Sequence, residues 1–251
     1  MSAPIRAILF DLGNTVIHFG EVDRTTLFQR ASRRTYMMWA RRNRRMPDLR
    51  RYYLHQWFAV QWGCLKRLLL RREMDSMHYI HRACRKLWLT APEAFFEDLV
   101  WNWYKPLADV ATIEPGTADV LEQLRNFGYR LGIVSNTFVP GFVLDRHLTE
   151  LGLIDFFPHR VYSCDVGYRK PQRRIFELAL GHLEVEPDEA VFVGDSFHDD
   201  VIGARRAGMY SVWKRPAGRG HHGPTNASAV IDRLTDLPDA ITQLDATPVN
   251  E

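Results

Sequence analysis

At 251 residues, with 46% hydrophobic and 25% charged residues, the chain can bury a full core and is too polar to be embedded in a membrane. No apolar run reaches the about 18 residues of a spanning helix, and "MSAPIRAILFDLG" lacks the basic stretch and long apolar segment of a secretory signal, so the expected location is cytoplasmic. The net charge of +3 hides an asymmetry, because Arg24 to Thr90 carries 17 Arg or Lys against 3 Asp or Glu, a local +14 that leaves −11 for the remainder. Such a contrast points to a second structural unit inserted in the first. Cys64, Cys84 and Cys164 are far apart and in no C-x-x-C pair, so they read as reduced structural thiols.

In chain order, the apolar run Ile5 to Phe10, ended by Asp11 and the Gly13-Asn14 turn, predicts a strand buried on both faces. Residues 21–108 read as helices only. "TTLFQRASRRTYMMWA" puts Phe28, Ala31, Thr35 and Met38 on one stripe, and "LHQWFAVQWGCLKRLLL" does the same for Leu54, Phe58, Leu65 and Leu69. Met77, Ile80, Cys84 and Leu87 mark a third helix. "TAPEAFFEDLVWNWY" marks a fourth, with Thr90 and Glu93 at capping-box spacing and Pro92 in its first turn.

From Glu114 onward helices and strands alternate. "PGTADVLEQLRNFG" is a helix ended by Gly128, "YRLGIVSN" a strand, "GFVLDRHLTELG" a helix and "RVYSC" a strand. "PQRRIFELALGHL" is a helix with Pro171 in its first turn; "AVFVGD", "DDVIGARRAG" and "MYSVWK" follow as strand, helix and strand. "AVIDRL" and "LPDAITQL" close the pattern as strand and helix. The expectation is an α/β fold with a doubly wound parallel sheet over residues 1–20 and 109–251, carrying an all-helical, strongly basic insert over 21–108.

Ligands of open parallel sheets bind outside the carboxyl ends of the strands. Four such ends carry polar groups here: Asp11, then Ser135 with Asn136, then Lys170, then Asp195 with Asp199 and Asp200 following. They can converge on one crevice. Other candidates carry less. His78, His81 and Cys84 sit at core spacing on a helix without a complete metal-ligand set, and His221-His222 reads as exposed in a Gly/Pro loop. "WARRNRRM" and "LLLRREM" read first as a solvated basic face, with phosphate or nucleic-acid recognition as the competing account.

"FDLGNTVI", "IVSNT", "YRKP" and "VGDSFHDDVIGA", in this order and spacing, resemble the four motifs of the haloacid dehalogenase-like hydrolase superfamily, and the insert corresponds in position to its C1-type helical cap. The resemblance implies a Rossmann-like core, a small phosphorylated substrate and Mg²⁺. It makes Asp11 the nucleophile that forms an aspartyl-phosphate. Asp11, Asp195 and the Gly13 backbone carbonyl become metal ligands, and Asp200 holds metal-bound water. Ser135 and the Asn136 amide bind phosphoryl oxygens, Lys170 neutralises them, and Asp199 is a solvated neighbour.

The family's residue two after the nucleophile also has a carboxyl that acts as general acid and base. Gly13 keeps the carbonyl and loses the acid, a loss worth roughly 10²- to 10⁴-fold where the leaving group needs a proton. His18 is a candidate replacement, although a packing role is the commoner one. The resemblance leaves a Mg²⁺-dependent phosphatase as the leading expectation, with a phosphate-binding regulatory pseudophosphatase and a 2-haloacid dehalogenase as alternatives. Asp195 and Asp200 argue against the last, whose displacement of halide needs no metal.

Overall fold

Strand β1 (Ala7–Phe10) is buried at every residue, as its unbroken apolar run requires of a strand covered on both faces. The computed structural model describes residues 4–43, 45–70, 75–216 and 226–246, except for the side chains of 66–70. After β1 the chain enters four helices, α1 (Arg24–Arg42), α2 (Leu49–Leu70), α3 (Ser76–Lys86) and α4 (Glu93–Ala108). Next come α5 (Thr117–Asn126), β2 (Arg130–Ser135), α6 (Gly141–Glu150), β3 (His159–Tyr162), the short α7 (Ser163–Val166) and α8 (Arg173–Leu183). Then follow β4 (Ala190–Gly194), a π-helical turn (Phe197–Ile202), α9 (Gly203–Arg206), β5 (Tyr210–Lys214), β6 (Ala229–Ile231) and α10 (Leu237–Ala246).

The six strands form one parallel sheet in the order β3-β2-β1-β4-β5-β6. The chain winds outward from β1 to β3 and then returns to β4 on the other side of β1. That reversal opens a crevice at the carboxyl ends of β1 and β4. The register pairs Phe10 with Val193, and the Asp11 amide donates to the Val193 carbonyl at 2.8 Å, so Asp11 emerges at the crevice.

The chain divides into two compact units. Met1–His18, Thr112–Asn136 and Leu148–Glu251 form the α/β unit, whereas Phe19–Ala111 and Thr137–His147 form the helical one. The helical unit thus takes a segment beyond β2 that lies outside the insert expected from charge. Helix α1 is capped by Asp23, whose carboxylate accepts from the Thr25 and Thr26 amides at 3.0 and 3.2 Å, and Asp75 caps α3 in the same way. Arg41 and Arg42 end α1 and Arg85 and Lys86 end α3, the charge sign that suits the helix dipole. Among the described residues no helix is long and apolar enough to cross a membrane.

Several local expectations are corrected. Helix α2 turns Tyr52, Gln56 and Gly63 inward, while Leu54, Phe58 and Leu65 are exposed; Leu69 has no described side chain. Apolar and polar residues are mixed on every side of this helix, so spacing alone could not select its buried face. In α1 Phe28, Ala31 and Thr35 are buried as expected, but the stripe ends on Trp39, seated against Phe95 and Phe96, and Met38 is only half-buried.

Thr90 and Glu93 form no capping box. Pro92 is itself the N-cap residue and α4 starts at Glu93. Pro171 follows a cis peptide bond and precedes α8, which begins at Arg173 after the Gln172 cap. The segment expected as a helix from Asp199 is a π turn followed by one turn of α-helix, and "RVYSC" leaves the sheet at Tyr162.

Gly203 follows the π turn where α9 meets α8. A Cβ there would lie 2.8 Å from the Phe176 ring and 3.1 Å from the Pro171 Cα, and Phe176 is fully buried. Gly203→Ala is expected to cost about 1–3 kcal/mol by overpacking, read as a lower urea midpoint at unchanged slope.

Candidate active site

The Lys170 ammonium lies 2.6 Å from Asp11 Oδ1 and 2.7 Å from Asp200 Oδ1, and the three side chains are almost wholly buried. Asp11 enters from the end of β1. Asp200 enters from the π turn, where its Oδ2 accepts the Ser196 amide at 2.9 Å. Gly194, the last residue of β4, makes room for it, because a Cβ there would overlap the Asp200 carboxylate. Asp195 follows at once and is half-buried, and its carbonyl accepts the Trp213 indole N–H at 2.9 Å.

Lys170 is held from both ends. Asn136 forms a two-bond clamp on its backbone, with Lys170 N donating to Oδ1 at 2.8 Å and Nδ2 donating to the Lys170 carbonyl at 3.0 Å. At the other end the ammonium lies 4.9 Å from the centre of the Phe192 ring. Ser135 ends β2 and is buried. Asp199 is more than a solvated neighbour, since it accepts from Asn136 Nδ2 at 3.3 Å and contacts His198 Nδ1 at 2.9 Å.

Ligand oxygens of Asp11, Asp195 and Asp200 can all lie within 4.8 Å of one another. Burial, then the Asp200 and Asp195 charges, push the Asp11 carboxyl up to about 7 against the pull of Lys170. Burial and Asp200 push Asp195 up to about 6. Burial works against the Lys170 charge, but Asp11 and Asp200 outweigh it and hold the ammonium above the ordinary lysine value. Three crowded carboxylates against one ammonium leave an excess of negative charge that an oxygen-liganded divalent cation would neutralise, so the donor set fits such an ion.

The chain matches the family described as haloacid dehalogenase-like hydrolase over residues 5–208. It belongs to that hydrolase family. Glyceraldehyde 3-phosphate phosphatase of Pyrococcus abyssi is 29% identical over 83% of this chain and 81% of its own length. The enzyme of the same name from Methanothermobacter thermautotrophicus is 40% identical over 39% of this chain, and the match spans only 42% of that relative. A haloacid dehalogenase-like phosphatase from Thermococcus onnurineus has the same fold, with a TM-score of 0.61, 27% identity and coverage of 94% of this chain and 97% of its own.

Within this hydrolase the remaining candidates fall elsewhere. His18 Nε2 lies 3.2 Å from both Glu114 Oε1 and Lys214 Nζ, and burial and the Lys214 charge push its pKa down, so it faces a second charged cluster. His81 stacks on Phe96 and pairs with Glu93, and Cys84 is buried with its thiol pushed up to about 12. His221 and His222 lie outside the described residues.

Sequence reading missed the Asn136 clamp, Trp213, Glu114 and Lys214. Lys214 could have been found, because it too is a polar residue at the carboxyl end of a strand.

A carboxyl whose pKa is raised on folding binds a proton that the unfolded chain has released, so stability falls as pH rises between the two values. For Asp11 that window runs from the model-compound value of 3.8 to about 7. Metal-free wild type is therefore expected to lose more melting temperature than Asp11→Asn between pH 5 and 7.5, and a divalent cation should restore the loss. Equal pH dependence in the two proteins would show that Asp11 is not strained by its surroundings.

Proposed function

We propose that this hydrolase is a Mg²⁺-dependent phosphatase that acts on a small phosphorylated metabolite through an aspartyl-phosphate at Asp11. The observation that carries the reading is the Lys170 ammonium shared by Asp11 and Asp200, with Asp195 in the same group of carboxylates. The names of the two relatives support a phosphorylated three-carbon substrate.

Asp11, Asp195 and the Gly13 carbonyl would hold the ion, with Asp200 fixing its water. When bound, the cation neutralises phosphoryl charge and draws the nucleophile and phosphorus together. An Asp11 carboxylate oxygen forms the bond to phosphorus as the ester P–O bond breaks, and its electron pair leaves on the alcohol oxygen. Water then attacks phosphorus, releasing inorganic phosphate and regenerating the carboxylate. Ser135 and the Asn136 amide orient the phosphoryl oxygens, and Lys170 balances their charge. No carboxyl at Gly13 protonates the departing oxygen, which takes its proton from solvent.

Phosphate release from glyceraldehyde 3-phosphate and from acetyl phosphate, with and without Mg²⁺, tests this reading. Wild type should turn over in Mg²⁺ and stop in EDTA, and Asp11→Asn should be inactive yet folded. Activated phosphates should be preferred, because only alkyl leaving groups need a proton. Gly13 does not take a positive φ, although its neighbour Asn14 does at 59°, so the backbone conformation does not require glycine there. Gly13→Asp should gain up to about 10²-fold on alkyl phosphates and change little on acetyl phosphate. Chloride release from a 2-haloacid in EDTA would overturn the phosphatase reading. Turnover by Gly13→Asp alone would make the wild type a pseudophosphatase.

The charge of the helical unit supports an anionic ligand beyond one phosphoryl group, with kcat/KM falling as salt rises. Duplex binding with a steep salt dependence would assign that charge to nucleic acid instead.

A further inference from the structure

We propose that Lys214 is a positioning residue that fixes the turn carrying Gly13, acting with Glu114 and His18 as one clamp. Lys214 ends β5 with a side chain only 4% exposed. Its ammonium lies 2.5 Å from Glu114 Oε1, 3.2 Å from His18 Nε2 and 3.5 Å from the Asn14 carbonyl. Glu114 is anchored in turn, since its second oxygen accepts the Leu234 amide at 3.1 Å.

The turn supplies most of its own hydrogen bonds. Asn14 N donates to the Ile17 carbonyl at 2.6 Å, and the Val16 and Ile17 amides both reach the Leu12 carbonyl, at 3.0 and 2.9 Å. These bonds shape the turn without fixing it to the sheet. Its polar attachments come from outside: the His18 main chain exchanges two bonds with Thr112, at 2.7 and 2.8 Å, and Lys214 reaches the Asn14 carbonyl and the His18 ring. Consecutive residues of β5 therefore hold two parts of the site by their backbone, Trp213 at Asp195 and Lys214 one residue beyond Gly13.

Leu12, Thr15, Val16 and Ile17 are buried and hold the turn by packing, whereas Gly13 offers no side chain, so the polar tie one residue beyond it comes from Lys214. A buried ammonium with one counter-ion contributes little net stability over an apolar pair. Positioning gives the cluster a purpose that stability does not.

The metal arm of the test rests on the reading that the Gly13 carbonyl is a ligand, so a second readout is independent of it. In the full-length protein, Lys214→Met should raise hydrogen exchange of the amides in residues 12–18 at least about 10-fold, with exchange in β2 unchanged. Its Mg²⁺ dissociation constant by calorimetry should rise about 10-fold, as when a partner supporting a metal ligand is lost. Glu114→Gln/Lys214→Met keeps the core free of unpaired charge and should show the same local loosening; it also serves where the single variant fails to fold.

If the double variant exchanges like wild type over residues 12–18, the clamp is overturned and the pair is a matter of charge balance. Exchange that rises equally in β2 would overturn it too. Faster exchange confined to the turn, in a protein whose wild type binds no Mg²⁺, would support the clamp and sink the metal reading.

Discussion

The site depends on one buried contact, the Lys170 ammonium set between Asp11 and Asp200. Its geometry follows from the sheet. Asp11 is delivered by the central strand, Asp200 by the π turn after the adjacent strand, and Lys170 by the segment preceding α8, so three remote parts of the chain meet on one charge. Removing the Lys170 ammonium leaves uncompensated buried carboxylates, a loss typically of about 3–5 kcal/mol. Much of the surrounding sequence can be understood as accommodation of that contact. Asn136 fixes the Lys170 backbone, Phe192 lies under its ammonium, and Gly194 leaves the space that Asp200 fills.

What the sequence made legible and what it concealed differ by the range of the interaction involved. Strand ends are local features, and the polar residues following Phe10, Val134 and Gly194 were readable because apolar runs stop at them. The charge contrast of residues 24–90 was legible in the composition. The face of α2 was not, since a helix with aromatic and aliphatic residues on every side carries no amphipathic signal, and only packing decides that Tyr52 and Gln56 go inward. Asn136 and Asp199 looked like neighbours of functional residues. The bonds of Asn136 to Lys170 and to Asp199 connect positions 34 and 63 apart, which no spacing rule reaches.

The same limit explains the π turn. Its sequence is compatible with an ordinary helix, and the wider coil serves a tertiary need. Asp200 must accept the Ser196 amide and still reach Lys170 across Gly194. A Ser196 cap that accepts the Asp199 amide at 3.2 Å begins the turn, and Gly203 ends it against Phe176. π turns occur often at functional sites for this reason, since one extra residue per turn re-aims a side chain without ending the helix.

Gly13 marks where the economy of the site changes. A second carboxylate at this position would add a fourth negative charge to a group in which burial and mutual repulsion already push Asp11 and Asp195 toward their neutral forms. Without it the group carries one negative charge fewer, so there is less repulsion for Lys170 to offset. A glycine therefore leaves a site that assembles more easily before its ligands arrive. Under the proposed phosphatase chemistry the same absence would favour leaving groups that depart as stable anions, and under the proposed clamp the turn would be held by the charged cluster at the end of β5.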